Sequence, residues 1–238
     1  MFGHSASVLL RNWLRDVPPV RWIYVKWMAQ HGYEARFSEA LLEQVGPDST
    51  VWDIGANVGH YVRAFMGRGA GKVVCFEPAP GAVAELQRLF SADERIIIVP
   101  VALAETNGTA CFPVDGASVT NSIDGNNVLV GQTLTINVPV RRADDIVGEL
   151  GLPVPNVIKV DVEGFEYEVL RGMATLLANP ALKALLVEVH FRRLHERGLD
   201  HAPAEIVSVL RKAGFTIRWI DLSHLAATRG SWPAGAAE

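Results

Sequence analysis

The sequence predicts an α/β fold built on a doubly wound, mostly parallel sheet. From Thr50 onward, short apolar segments alternate with helical patterns, and this alternation is typical of βαβ units. The strand candidates are rich in Val and Ile and apolar on both faces, as in central parallel strands that helices cover. The segment VWDIGANVGHYVRAF, at 51–65, gives a third indication, because a strand pattern there leads through a glycine-rich turn into a helix.

Each element follows from the position of these patterns. The strand candidates span 50–54, 72–77, 95–101, 156–162, 184–190 and 215–220. The helix candidates span 58–67, 79–90, 141–150, 164–178 and 202–213. Between the third and fourth strands, GTACF (108–112) and LTINVPV (134–140) alternate like exposed strands and predict an inserted hairpin. Its Asn- and Ser-rich loop at 117–127 is either a cover for a ligand or a plain surface loop.

Three regions of the chain differ in pattern. Residues 1–49 predict an N-terminal helical cap that packs on the sheet or on a second copy of the chain, with an acceptor-binding lid or a membrane-surface face as alternatives. Residues 50–230 predict the α/β domain. Residues 231–238 are rich in Ala, Gly and Pro and predict a flexible tail.

Composition and charge narrow the function classes. The chain has 238 residues, enough for one α/β domain with a sizeable core. A net charge of −4 gives no basic field for nucleic acid. We find neither an apolar run long enough to span a membrane nor a signal-peptide pattern, so we expect a cytoplasmic protein. Cys75 and Cys111 lie in apolar, strand-like segments and are expected to be buried free thiols.

The glycine-rich turn after the first strand carries the first ligand signal. Asp53 precedes the turn, and Gly55, Asn57 and Gly59 form it. Asn57 stands where the dinucleotide pattern G-x-G-x-x-G needs its middle glycine. A carboxylate at Asp53 would repel a pyrophosphate and attract an ammonium group. The turn therefore predicts a ligand with positive charge and no phosphate, such as S-adenosylmethionine.

A second acid, Glu77, ends the second strand in the tripeptide Phe76-Glu77-Pro78. An acid at this place can accept hydrogen bonds from both hydroxyls of a ribose. Sites for NAD share this feature, so it indicates a nucleoside without identifying it. Capping of the next helix is the alternative role of Glu77.

The fourth strand ends in a group of charged residues. Lys159 and Asp161 point to the same side, and a lysine in an apolar strand requires a carboxylate partner. We therefore expect an ion-paired cluster at the floor of the cleft, with Glu163 close by. Glu166 and Glu168 fall in the first turn of the next helix, where the helix dipole accounts for them.

The fifth strand ends in Glu188-Val189-His190, and the two polar side chains share a face at the ligand edge. His190 is either structural or catalytic. Asp161, Glu188 and His190 could also form a divalent metal site, since carboxylates at strand ends are suitable oxygen ligands. We do not favour a metal at these residues.

Together these motifs resemble the FkbM-type methyltransferases, which are class I S-adenosylmethionine-dependent enzymes. The resemblance spans about residues 50–220 and includes DIGANVG (53–59), FEP (76–78), VAL (101–103), KVDVEGFE (159–166) and EVH (188–190). It implies that 50–230 is a Rossmann-like methyltransferase domain, with a seven-stranded sheet whose last strand is antiparallel. It also implies O-methylation of a sugar hydroxyl in a glycan or glycolipid, or of a polyketide-type natural product.

The resemblance also implies roles for single residues. Those at the methionine end would be Asp53, Gly55, Asn57 and Gly59. Glu77, followed by Pro78, would hold the ribose, and Ala102 would lie near the adenine. Asp161 and Glu163 would face the methionine end or the acceptor.

The catalytic candidates are His190, Asp161, Glu163 and Lys159. An alcohol that attacks a methyl group benefits from a base, and we expect His190 or Asp161 to accept its proton. Two rival functions stay open: an NAD-dependent oxidoreductase, and a non-catalytic module that binds the cofactor and a partner. A homo-oligomer through the N-terminal helices is a further expectation.

Overall fold

The computed structural model describes residues 33–113, 127–130 and 133–230, and elements are numbered within these ranges. The helices are α1 (Tyr33–Leu42), α2 (His60–Gly67), α3 (Pro80–Phe90), α4 (Ala143–Leu150), α5 (Glu166–Arg171), α6 (Ala174–Ala178), α7 (Phe191–Glu196) and α8 (Ala202–Lys212). The strands are β1 (Thr50–Ile54), β2 (Lys72–Phe76), β3 (Ile96–Val99), β4 (Ala102–Leu103), β5 (Gly108–Pro113), β6 (Asn127–Val130), β7 (Thr133–Arg141), β8 (Val157–Val160), β9 (Ala184–Glu188), β10 (Thr216–Trp219) and β11 (His224–Thr228). Residues 1–32, the predicted tail and nearly all of the loop at 117–127 lie outside the described ranges.

Seven strands form the central sheet in the order β10-β11-β9-β8-β1-β2-β3. β1 pairs in parallel with β2 and β8, whereas β11 is antiparallel to both of its neighbours. The predicted doubly wound, mostly parallel sheet is thus confirmed, and β11 supplies the antiparallel strand that the resemblance implied. The chain reaches the β3 edge and then returns to build β8 beside β1. This reversal makes the carboxyl ends of β1 and β8 a topological switch point, where open α/β sheets bind ligands.

Several predicted strands were too long at their carboxyl ends. β3 stops at Val99, because the Val101 N–H bonds back to the Val99 carbonyl and the chain then enters β4. β8 and β9 end at Val160 and Glu188, so the polar residues that follow lie on connections rather than in the sheet. His190 comes directly before α7, a helix that the sequence patterns did not predict.

The prediction of one continuous helix at 164–178 was also wrong, because this segment forms two separate helices, α5 and α6. Gly172 ends α5 with its Cα packed against the backbone of Ala104. A Cβ at Gly172 would lie 2.0 Å from the Ala104 carbonyl oxygen. The close approach of these two segments of the chain requires glycine at position 172.

The side chains of the central strands alternate between two apolar layers. Trp52 and Ile54 of β1 belong to one layer, and Val51 belongs to the other, with Val73 and Cys75 of β2. Helix α1, the described part of the predicted cap, packs on this second layer through Phe37 and Leu41. The two layers bury most of the sheet, so a charged side chain that points into either one needs a partner.

The inserted hairpin is confirmed. β5 pairs with β7 in antiparallel fashion, β6 pairs with β7, and β4 joins the same small sheet.

The expected burial of Cys111 was wrong, since this residue is exposed on β5, where one face of a hairpin strand meets solvent. Cys75 is buried as predicted, both thiols are free, and burial raises the pKa of Cys75.

Within the described ranges, no helix is both long enough and apolar enough to cross a membrane.

The Gly172 contact gives the first testable prediction. Gly172→Ala should lower the free energy of unfolding by about 1–3 kcal/mol, because the added methyl overlaps the Ala104 carbonyl. Gly148, in helix α4, is a matched control, since a Cβ there meets nothing within 4 Å. Gly148→Ala should stabilise the protein by about 0.5–1 kcal/mol. Urea denaturation of both variants measures the difference, and equal stabilities would contradict the packing argument.

Candidate active site

The turn after β1 forms one wall of the switch point. Gly55, Asn57 and Gly59 all have left-handed backbone conformations, with φ of 82°, 49° and 83°. A Cβ at Gly55 would lie 1.9 Å from the backbone carbonyl oxygen of Asp161. The glycine at this position therefore lets the turn approach the connection that follows β8.

A buried ion pair lies beneath this turn. Lys159 Nζ lies 3.0 Å from Asp53 Oδ1 and 3.2 Å from the Gly55 carbonyl oxygen. The two side chains face each other because Asp53 and Lys159 are register partners on neighbouring strands. Burial disfavours the ammonium, but the attraction of Asp53 and Asp161 outweighs it and raises the pKa of Lys159. The predicted carboxylate partner of the lysine is confirmed.

The ion pair argues against the expected attraction of a cationic ligand by Asp53. Asp53 is fully buried, and its charge is compensated from within by Lys159. The second lysine contact, Asp161 Oδ2 at 3.5 Å, belongs to a carboxylate that keeps 29% of its side chain exposed. Asp161, rather than Asp53, thus offers a ligand an accessible negative charge.

Glu77 lies between the turn and the start of α3. Its Oε2 accepts the Asn57 N–H at 2.9 Å and its Oε1 accepts the Ala79 N–H at 2.8 Å. Burial raises the pKa of Glu77, although these two hydrogen bonds favour the carboxylate. Each carboxylate oxygen has two acceptor sites, so one site on each oxygen remains for two hydroxyl donors. The helix-capping role and the ribose role of Glu77 are thus compatible.

Pro78 and Ala102 flank the same end of the sheet. Both are partly buried, and Ala102 is the first residue of β4. The Glu77 N–H donates to the Val99 carbonyl, which places the end of β2 beside the end of β3. The structure therefore brings the ends of these strands together at one edge.

The imidazole of His190 faces a group of carboxylates. Its Nε2 lies 3.6 Å from Glu163, 3.8 Å from Asp161 and 3.8 Å from Glu188, and its Nδ1 lies 2.7 Å from Glu166 Oε1. The predicted candidates Asp161, Glu163 and His190 are thus neighbours, and Lys159 reaches the group through Asp161.

The carboxylates determine the charge of His190. Burial lowers the pKa of the imidazole, but the hydrogen bond and charge of Glu166, with the charges of Glu188 and Glu163, outweigh burial and raise it to about 9. These carboxylates therefore favour the protonated imidazolium form of His190 at neutral pH.

Glu166 is the functional candidate that sequence reasoning missed. Its assignment to the helix dipole was incomplete, because the side chain is fully buried and bonded to His190. A sequence signal was present: Val169 and Leu170 are apolar and lie three and four positions later, on the same helix face. A glutamate on that face points into the protein. Glu168, in contrast, pairs with Arg197.

A second buried histidine, His224 on β11, was also missed. Its Nδ1 lies 2.7 Å from Asp221, and its Nε2 lies 3.4 Å from the other oxygen of Glu188. Its ring stacks on Phe37 of α1 at 4.2 Å. Burial lowers the pKa of His224, but the hydrogen bonds and charges of Asp221 and Glu188 raise it to about 9. Glu188 thus lies between two histidines.

The predicted metal ligands are only partly brought together. Asp161 and His190 are close, but it is Glu163, rather than Glu188, that completes a group with ligand atoms within 4.8 Å of one another. Glu163 is exposed, and its carboxylate also approaches Arg193. We assign no metal to these residues.

Comparisons with known proteins find relatives that are named methyltransferases. A Haloferax volcanii protein named hexuronic acid methyltransferase AglP is 29% identical over 73% of this chain and 66% of its own length. A Sinorhizobium fredii protein named 2-O-methyltransferase NoeI is 31% identical over 56% of this chain and 60% of its own length. The chain thus spans less than two thirds of each of these relatives.

Among solved structures, a methyltransferase FkbM from Methylobacillus flagellatus KT matches 76% of this chain and 43% of its own, with 19% identity and a TM-score of 0.51. This likeness shows the fold. The sheet order and the acids at its switch point define a class I methyltransferase-like protein. The FkbM methyltransferase-domain model matches residues 53–217, more than half of the chain, so the chain belongs to that family.

The two histidines predict a pH-dependent stability. Each has a folded pKa raised from 6.5 to about 9, so its stabilisation is complete below 6.5 and is lost as pH rises through 9. Each histidine should reduce the free energy of unfolding by up to about 1.4 kcal/mol per pH unit across this window. Urea denaturation at several pH values measures the slope. His224→Gln should halve it, and a flat profile in the unsubstituted protein would contradict the paired histidines.

Proposed function

We propose that this chain is an S-adenosylmethionine-dependent O-methyltransferase that acts on a hydroxyl of a sugar, glycan or natural-product acceptor. The family and fold support methyl transfer. The observation that carries the proposal is the juxtaposition at the switch point of Glu77, which retains free acceptor sites, with Asp161 and His190. The names of two relatives, a hexuronic acid methyltransferase and a 2-O-methyltransferase, support a sugar-like acceptor.

The residues at this edge fit such a cofactor. Glu77 would accept the ribose hydroxyls, Pro78 and Ala102 would border the nucleoside, and the turn at Gly55–Gly59 with Asp161 would hold the methionine end. When bound, S-adenosylmethionine supplies a methyl group on a positively charged sulfur. The partly exposed Asp161 carboxylate would attract that charge.

In the proposed reaction the acceptor hydroxyl oxygen forms a bond to the methyl carbon as the carbon–sulfur bond breaks, and the hydroxyl proton leaves to a base. We assign His190 Nε2 as that base, with Asp161 as the alternative. His190 must first lose its own proton, and positive charge at the methionine end would favour that loss by lowering its pKa. Positioning of the acceptor supplies much of the remaining acceleration.

Calorimetric titration with S-adenosylhomocysteine, with NAD as the comparison, tests the cofactor assignment. We expect S-adenosylhomocysteine to bind and NAD not to bind. Glu77→Gln should weaken binding by at least about tenfold, because the loss of a charged acceptor for hydroxyl donors costs about 1.5–3 kcal/mol. Glu94→Gln is a control at an exposed acid. Binding of NAD alone would favour the oxidoreductase and contradict the proposal.

Replacement of His190 tests the base. His190→Ala should lower kcat by about 10²–10⁴-fold and leave the affinity for S-adenosylhomocysteine within about twofold of the original. The assay uses a panel of deoxysugars, hexosides and hexuronic acids. Unchanged turnover would remove His190 from the role. Cofactor binding without turnover of any hydroxyl acceptor would favour the non-catalytic module.

Other expectations stay predictions. Closure of the loop at 117–127 over the acceptor concerns residues that lie almost entirely outside the described ranges. The same holds for most of the N-terminal cap and for its expected contact with a second copy of the chain. Independence from nucleic acid, the flexible tail and a cytoplasmic location are likewise untested.

A further inference from the structure

One buried oxygen joins the two connections that carry the catalytic candidates. Glu166 Oε1 accepts the Gly164 N–H at 2.8 Å, within the connection that follows β8. The same atom lies 2.7 Å from His190 Nδ1, on the connection that follows β9. Glu166 is fully buried, whereas 16% of the His190 side chain is exposed. The carboxylate is thus placed behind the histidine, away from solvent.

The two connections are also packed tightly against each other. Gly164 has φ of 99°, and a Cβ there would lie 2.5 Å from Arg193 Cβ on α7. The Arg197 guanidinium donates to the Gly164 carbonyl oxygen and lies 3.9 Å from the centre of the Phe165 ring. These contacts limit the movement of one connection relative to the other, so the Glu166 bridge spans a fixed gap.

The chemistry of the bridge determines which nitrogen of His190 can react. An ionised carboxylate only accepts hydrogen bonds, so Nδ1 must carry the proton that faces Glu166. The other nitrogen, Nε2, is then directed toward Asp161, Glu163 and Glu188, at distances of 3.6–3.8 Å. None of these three is a normal hydrogen-bond distance. Nε2 therefore remains available to a group that enters between them.

We propose that Glu166 is a positioning residue: it holds His190 with Nδ1 as the donor and Nε2 toward Asp161, and it fixes the two connections relative to each other. The effect on turnover rests on the proposed methyl transfer, whereas the state of His190 does not. A carboxylate that served only the helix dipole would stabilise α5 and leave His190 unaffected. The positioning role and the helix-dipole role of Glu166 therefore predict different results for the state of His190.

The first measurement uses the unsubstituted protein. Long-range ¹⁵N–¹H correlation spectra of the histidine side chains, with His190 assigned from the spectrum of His190→Gln, report which ring nitrogen carries a proton. We expect Nδ1 to stay protonated throughout the titration and Nε2 to lose its proton. A neutral His190 with the proton on Nε2 would overturn the proposal.

The second measurement compares Glu166→Gln with the unsubstituted protein. Four carboxylates face His190: Glu166 on α5, Asp161 and Glu163 after β8, and Glu188 on β9. Each of three cations lies next to one of them: Lys159 next to Asp161, Arg193 of α7 next to Glu163, and His224 of β11 next to Glu188. Loss of the Glu166 charge should move the His190 midpoint down from about 9 by about one pH unit or more. An unchanged midpoint and tautomer would overturn the proposal.

Turnover gives an independent readout of the same variant. In Glu166→Gln the acid limb of the kcat profile should move to lower pH, and the plateau should fall by about 10–100-fold, with little change in KM for the cofactor. Glu166→Asp, which keeps the charge with a shorter reach, should keep the midpoint nearer to that of the unsubstituted protein. An acid limb that stays in place while only the plateau falls would contradict the positioning role.

Glu205→Gln is the matched control, because Glu205 is an exposed acid in the first turn of helix α8. It should change neither the His190 midpoint nor the pH profile. A shift of the same size in this variant would overturn the proposal. If the midpoint shifts only in Glu166→Gln but even the unsubstituted protein transfers no methyl group to any acceptor, the proposed function fails and the positioning of His190 stands.

Discussion

The ion pair between Lys159 and Asp53 is the interaction on which the candidate site depends. It lies inside the apolar layer of the sheet, where breaking such a pair typically costs about 3–5 kcal/mol. Its ammonium group also contacts the Gly55 carbonyl and approaches Asp161. A single buried cation thus joins the end of β1, the turn that follows it and the first residue after β8. Together with the hydrogen bond from the Asp161 N–H to the Ile54 carbonyl, this ammonium group connects the turn after β1 to the connection after β8.

Around this pair, carboxylates outnumber cationic side chains at the carboxyl edge of the sheet. Glu188 contacts both His190 and His224, and each histidine has a further acid behind it. Raised pKa values at both histidines follow from this excess of negative charge. An edge of this kind favours a cationic ligand over a phosphate-bearing one. The sequence argument for a cationic ligand still applies, but the accessible carboxylate that would attract it is Asp161 rather than Asp53.

The sequence predicted the centres of the elements better than their ends. Apolar runs located β1, β2, β8 and β9, because central parallel strands need side chains that are buried on both faces. Strand ends depend on where the neighbouring strand stops pairing and on where the chain must turn, which no local pattern encodes. The broken helix at Gly172 and the exposed Cys111 have the same origin, since both depend on a contact, or its absence, with a distant segment.

The sequence by itself determined the fold class, the family motifs and the presence of Asp161, Glu163 and His190 at one edge of the sheet. Parallel strands bring their carboxyl ends together, so order along the chain suffices for this conclusion. Only the tertiary structure decided that Asp53 pairs with Lys159 and that Glu166 lies behind His190. Both results depend on strand register and on the rotation of a short helix, which are fixed by packing across residues far apart in sequence.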